Sequence, residues 1–415
     1  MLIMKNTFAS LIVFALFLLS SCQSSAYRLQ KQGKIVTKQF SKEIPFEYFK
    51  KVILMEAEID GETYTFIYDT GAEITLLDEK VADKISMKKV TEKSVSDSYK
   101  NKKNLPFYVL PDFKIGGVDF EKFVTTTVDI SALNDYLGCE REVAGILGNN
   151  IFRKAVWKID YQKELMSFAN TIAPLQVADN KTVINFPKRK IGNAYIPAKL
   201  NGITRNFLLD TGYAGSLASN QSFFDELKTQ NDDLSFAAEK GIMSISIHGF
   251  NYGIINHVLV DSFSLANINL SGVVVALKEN KNASTLIGNE FLKNFIVTFD
   301  WKNGQLFLEK TGEFNPEEFA QFEYDILPMH EARFFKLSNQ WLSHPTTFDI
   351  NPENIIQSIN GVNLTDLEEA DFCNFKDNQL PKFKDAEEMK VVFKEEDTLK
   401  TVTLHKRQLL NFENN

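Results

Sequence analysis

Asp60-Gly61-Glu62-Thr63-Tyr64-Thr65-Phe66-Ile67-Tyr68-Asp69-Thr70-Gly71 decides the fold, because the chain carries this pattern twice. The second copy is Asn201-Gly202-Ile203-Thr204-Arg205-Asn206-Phe207-Leu208-Leu209-Asp210-Thr211-Gly212. In each, a turn glycine stands eight residues before the aspartate of an Asp-Thr-Gly. Asp-Gly and Asn-Gly between apolar runs are strong hairpin signals, since both turn positions need positive φ. Each copy therefore reads as a β-hairpin whose second strand ends on Asp-Thr-Gly. A second correspondence lies downstream: Ile146-Leu147-Gly148-Asn149 matches Leu286-Ile287-Gly288-Asn289. Gly148 follows Asp69 by 79 residues and Gly288 follows Asp210 by 78. Twelve residues later come Asp160 and Asp300, each leading into a strand-like run, Leu165 to Phe168 and Gln305 to Leu308. Matched flanks over such a span mark a duplicated β-rich unit.

The duplicated pattern resembles the aspartic peptidases. An apolar strand ending in Asp-Thr-Gly, followed after about 80 residues by two apolar residues and a glycine, is similar to one retropepsin half. Two halves in one chain resemble the pepsin-like arrangement. The resemblance covers residues 46–310 and implies a mainly β, bilobal double-β-barrel with catalytic aspartates Asp69 and Asp210. It also implies that Thr70 and Thr211 lock the two loops together. Gly71 and Gly212 would permit the tight turns, and Gly148 and Gly288 would leave room beside the loops. The implied reaction is peptide hydrolysis by a water activated between two carboxyls that share one proton, with no cofactor or metal. Neither aspartate is identifiable as the base from sequence. Because both half-sites are in one chain, the catalytic unit is expected to be a monomer acting on a polypeptide substrate.

The family usually has Ser or Thr after each Asp-Thr-Gly, and Ala72 and Tyr213 stand there instead. Loss of that hydroxyl donor makes the dyad less acidic, giving an expected optimum at about pH 5–7. Two other readings stay open. Tyr213 is bulky for its position, which suits a peptide-binding scaffold of weak or no activity. Two aspartates also serve glycosidases, although symmetric Thr-Gly loops are no requirement there. For the flaps, Ser246 to Gly253 suits a hairpin, with His248 near its tip. Its counterpart from Ser94 to Leu110 has no tip glycine and reads as a solvated loop.

Around this unit the ends differ. Phe8 to Leu19 is a short, mostly apolar run, right for a signal-peptide core and short for a membrane span. Leu19-Ser20-Ser21-Cys22 resembles the bacterial lipobox, which implies cleavage before Cys22 and its lipidation. Residues 1–21 are thus read as a lipoprotein signal peptide and 22–45 as a polar tether. With no Asp just after Cys22, sorting to the outer membrane is expected, the body facing the periplasm or the cell surface. At the other end, Asn351 to Val362, with Ile355-Ile356-Gln357-Ser358-Ile359-Asn360-Gly361, resembles a PDZ signature. It implies a small PDZ-like α/β domain over 320–410, after lobes at 46–172 and 173–310.

Composition excludes several classes. The 415 residues carry net charge −8, which gives no electrostatic footprint for nucleic acid. Five His and three Cys leave little from which to build a zinc site or a disulfide framework. With Cys22 lipidated, Cys139 and Cys373 are expected to be two separate buried thiols.

Overall fold

The computed structural model describes residues 29–410 apart from 97–98, 140, 189–191, 232, 247–248, 313, 315–318, 345–349 and 352–353. The signal peptide, Cys22 and His248 lie outside the described residues. The protein is mainly β.

Both expected hairpins form. Strands Val52–Ile59 and Glu62–Tyr68 pair with Ile59 opposite Glu62. Their turn places Asp60 at φ 52° and Gly61 at 84°. Strands Tyr195–Leu200 and Ile203–Leu209 pair with Leu200 opposite Ile203, and Asn201 and Gly202 take φ 45° and 80°. Two consecutive residues at positive φ give the turn whose twist matches paired strands.

Each Asp-Thr-Gly strand is then threaded into its sheet in the same way. Gly145–Leu147 runs parallel to Glu62–Tyr68 and antiparallel to Thr75–Asp78. Leu286–Ile287 runs parallel to Ile203–Leu209 and antiparallel to Leu217–Asn220. The two copies are joined below the loops by a six-stranded sheet. At its centre Val156–Asp160 pairs with Phe295–Asp300, Trp157 facing Phe299. Both strands come from the stretch after the repeated Gly-Asn, so this sheet carries the symmetry of the duplication. One apolar core runs through both copies; among its fully buried rings Tyr68 stacks on Phe152, which meets Trp157 edge-on.

Several expectations are corrected. The sheets of both copies are open paths, and among the described residues neither closes into a barrel. In the first, the edge strand Lys88–Ser96 is charged and exposed, which disfavours further pairing. In the second, the edge strand Phe236–Ser246 pairs with Phe334–Trp341 of the C-terminal region instead of closing. The expected tether contributes strands: Lys34–Ile35 pairs with Val118–Glu121, and Ser41–Pro45 with Leu165–Ala169. Phe40 and Ile44 are buried there, so its scattered apolar residues have a core to join.

Residues 320–410 have their own core around Phe335, Ile356, Phe372 and Val391. Strands Phe334–Trp341, Ile355–Ile359, Glu388–Glu395 and Thr398–His405 flank short helices from Glu369 to Asp385. Asn360-Gly361 makes the expected tight turn. This region is tied to both copies. Glu239 and Lys240 pair with Trp341 and Gln340, and the Asn339 amide brackets Ile242, accepting from its N–H at 2.8 Å and donating to its carbonyl at 3.0 Å. On the other side Cys139 and Cys373 form a disulfide, Cα atoms 5.6 Å apart, which replaces the expected pair of separate thiols. Their separation of 234 residues hid the pairing.

Candidate active site

The fold brings Asp69, Thr70 and Gly71 against Asp210, Thr211 and Gly212. Each aspartate is pinned through its backbone. The Asp69 N–H donates to the Leu147 carbonyl (3.0 Å) and the Asp210 N–H to Ile287 (2.9 Å). The two carboxyls face each other, each packed against the glycine of the opposite loop.

Thr70 and Thr211, both fully buried, form a reciprocal lock. The Thr70 N–H donates to Thr211 Oγ1 (3.0 Å), and the Thr211 N–H to Thr70 Oγ1 (3.1 Å). Each hydroxyl donates across the pseudo-twofold axis, Thr70 to the Leu209 carbonyl and Thr211 to that of Tyr68, both at 2.8 Å. Buried hydroxyls and amides are thereby all satisfied between copies.

The glycines have a steric reason. A Cβ on Gly71 would lie 2.5 Å from the Asp210 carboxyl, and one on Gly212 would strike that of Asp69. Each glycine makes room for the other copy's catalytic candidate. A Cβ on Gly148 would meet the Ile74 and Ala72 backbone, and one on Gly288 the carbonyls of Tyr213 and Gly215.

Asn149 and Asn289 were missed as site residues. The Asn149 amide donates to the Thr70 carbonyl and to Asn193 Oδ1 (2.6 and 2.8 Å). The Asn289 amide donates to the Thr211 carbonyl (2.6 Å), while Tyr161 donates to its Oδ1 (2.8 Å). Both hold the backbone one residue past each aspartate. Their signal was present, since they repeat in step with Gly148 and Gly288.

Symmetry breaks at the next residue. Asp69 Oδ1 accepts from two backbone amides, Gly71 (2.6 Å) and Ala72 (3.1 Å). Asp210 Oδ1 accepts from Gly212 (2.9 Å), and the Tyr213 N–H turns to the Asp210 carbonyl instead (3.2 Å). Burial pushes both carboxyls up. Asp69 is drawn back by its two amides, whereas Asp210 is pushed further, well above the usual carboxylate range, by the facing Asp69 charge. The second amide donor favours the ionised form at Asp69 over that at Asp210.

Tyr213 lies beside the dyad, where burial raises its phenol and the Asp210 charge is close enough to help. Its ring turns toward Gly215, where a Cβ would strike the hydroxyl, and toward the Lys278 ammonium, 5.4 Å from the ring centroid. The first flap also departs from expectation. Instead of a solvated loop, Lys88–Ser96 and Lys102–Val109 form a hairpin, and Tyr99 near its tip is buried. The second flap is the hairpin of Phe236–Ser246 and Gly249–Val260.

Among the described residues, one group brings metal-ligand atoms together: Cys139, Cys373 and His330, within 4.8 Å. Both sulfurs are committed to the disulfide, and it is the thiolate that binds metal.

Residues 55–151 match the family model for aspartyl protease. The match spans the first Asp-Thr-Gly and Gly148, and supports the aspartic peptidase family as the source of this domain. No curated protein matches the chain.

Proposed function

We propose that the protein is an aspartic endopeptidase whose catalytic pair is Asp69 and Asp210. The observation that carries this reading is two facing carboxyls whose loops are held by one reciprocal Thr lock. The ionised Asp69 takes a proton from a water lying between the carboxyls, and that water's oxygen attacks the peptide carbonyl carbon. Asp210 gives its proton to the carbonyl oxygen, forming a neutral tetrahedral diol. Collapse breaks the C–N bond, as Asp69 returns its proton to the leaving nitrogen and a diol hydroxyl reprotonates Asp210. The raised carboxyls and the lack of a Ser or Thr at 72 and 213 favour an optimum at about pH 5–7. The lipobox-like Leu19-Ser20-Ser21-Cys22 supports anchoring to a bacterial envelope membrane through lipidated Cys22, as proposed for the outer membrane. The C-terminal region, PDZ-like in its Ile-Asn-Gly turn and strand pairing, is suited to present polypeptide or to gate the second flap.

The test is hydrolysis of a peptide library by the full chain at about pH 3–8. Cleavage should vanish in both Asp69→Asn and Asp210→Asn. Cleavage that survives either substitution would sink the assignment.

A further inference from the structure

Lys278 is the one feature of the site that the mechanism does not use. It ends strand Val273–Lys278, which pairs with Leu217–Asn220 and with the second flap strand Gly249–Val260. Its residue is 4% exposed. Ala276, on the same strand face, packs against the Leu208–Ala218–Leu286 cluster, as does Tyr213. The Lys278 ammonium lies 5.2 Å from the ring centroid of Tyr99, from the first flap, and 5.4 Å from that of Tyr213, from the second catalytic loop. It therefore sits where flap and loop meet. Among the described residues no hydrogen bond or ion pair reaches it.

A buried ammonium against two aromatic faces is only partly compensated, because cation–π attraction replaces little of the lost hydration. The negative charge in reach, on the dyad, is engaged by backbone amides and by the shared proton. A counter-ion brought by the substrate completes the site.

We propose that Lys278 is a specificity-determining residue that receives a substrate carboxylate within one or two residues of the scissile bond. That carboxylate is an Asp or Glu side chain, or the free C-terminus of the peptide. The inference rests on the peptidase reading of Asp69 and Asp210. The Tyr99 ring lies over the ammonium, and an entering carboxylate displaces it and takes its place.

The experiment compares peptides differing at one group near the cleaved bond. One arm pairs Asp with Asn and Glu with Gln, and the other pairs a free C-terminal carboxylate with its amide. Each is assayed for kcat/KM with the full chain, and the labelled peptides are titrated by fluorescence anisotropy. The wild-type protein should favour the acid in one arm by about tenfold or more, the arm identifying the source. Lys278→Met should bring that ratio to within about twofold, and Lys278→Arg should keep an acid preference. Equal handling of acid and neutral partners by the wild-type protein overturns the inference, whether or not Lys278→Met folds. So does a Lys278→Met protein that shifts the pH profile but keeps the acid preference. If no peptide is cleaved, the peptidase reading fails, and the anisotropy ratio still decides the role of Lys278.

Discussion

Breaking the Cys139–Cys373 bond should be the largest single loss of stability available outside the cores. The bond joins the loop after helix Ser131–Leu137 of the first copy to helix Glu369–Asn374 of the C-terminal region. With 234 residues between its ends, the loop-entropy relation gives about 5 kcal/mol taken from the unfolded chain. The other ties across this contact are weaker. Lys376 donates to the Leu137 carbonyl (2.6 Å), the Glu331 N–H to Asp135 (2.7 Å), and Lys80 pairs with Glu331 at 3.0 Å. That ion pair is largely exposed and contributes about 1 kcal/mol or less. The perturbation is Cys139→Ser with Cys373→Ser, and separately the wild-type protein with reductant. Scanning calorimetry should show a transition lowered by about 6 °C. It should also show a second transition, since the C-terminal region has its own core. Lys80→Ala should move the melt little. A double variant melting within about 2 °C of the wild-type protein would refute the reasoning. So would free thiols at Cys139 and Cys373 in protein unfolded without reductant.

Two further outcomes follow from the dyad. Thr211→Val removes an acceptor from the Thr70 amide and a donor to the Tyr68 carbonyl, both in a fully buried contact. Two stranded partners should cost about 2–5 kcal/mol, while Thr211→Ser, which keeps the hydroxyl, should lose under about 1 kcal/mol. Thermal melts of the two variants check this, and equal losses would exclude the hydrogen-bonded lock. Asp210→Asn tests linkage. Burial and the facing Asp69 hold Asp210 well above its ordinary value, so folding binds its proton more tightly. That stabilisation is complete below about pH 4 and is lost as pH rises through the folded value. Asp210→Asn should therefore melt higher than the wild-type protein near pH 8, with the difference shrinking toward pH 4. A difference that is flat or reversed across that range would contradict the buried, charge-opposed carboxyl.

What the sequence disclosed was what local chemistry must repeat. The Asp-Gly and Asn-Gly turns, the Asp-Thr-Gly loops and the glycines at 148 and 288 are short-range requirements, and duplication displayed each twice. Features set by distant partners were not legible. Lys278 in Val-Val-Val-Ala-Leu-Lys reads as a charge marking a strand's exposed end, because the rings set against it, Tyr99 and Tyr213, come from distant segments. The first flap lacks a turn glycine, yet its strands pair from Lys88–Val109 inward. The Ser41–Pro45 strand looked like tether because its burial depends on Leu165–Ala169. Asn149 and Asn289 were visible in the repeat, but their acceptors, the carbonyls of Thr70 and Thr211, lie 79 and 78 residues back.

The duplication also explains why the two aspartates are not equivalent. Two identical loops around a pseudo-twofold axis would share the proton evenly, leaving acid and base undefined. The Thr lock, the opposing glycines and the two asparagines preserve that symmetry. Residues 72 and 213 break it. Ala72 turns its N–H into the Asp69 carboxylate, and Tyr213 withholds its own and points its ring toward Lys278. One position in the repeat therefore does two things at once: it gives the first carboxyl an extra amide donor, and it sets a ring against a buried cation on the second copy. The bulk of Tyr213, which from sequence argued against catalysis, is taken up between Gly215 and the Lys278 ammonium. Divergence between the copies has left the dyad geometry intact and made the walls around it unequal.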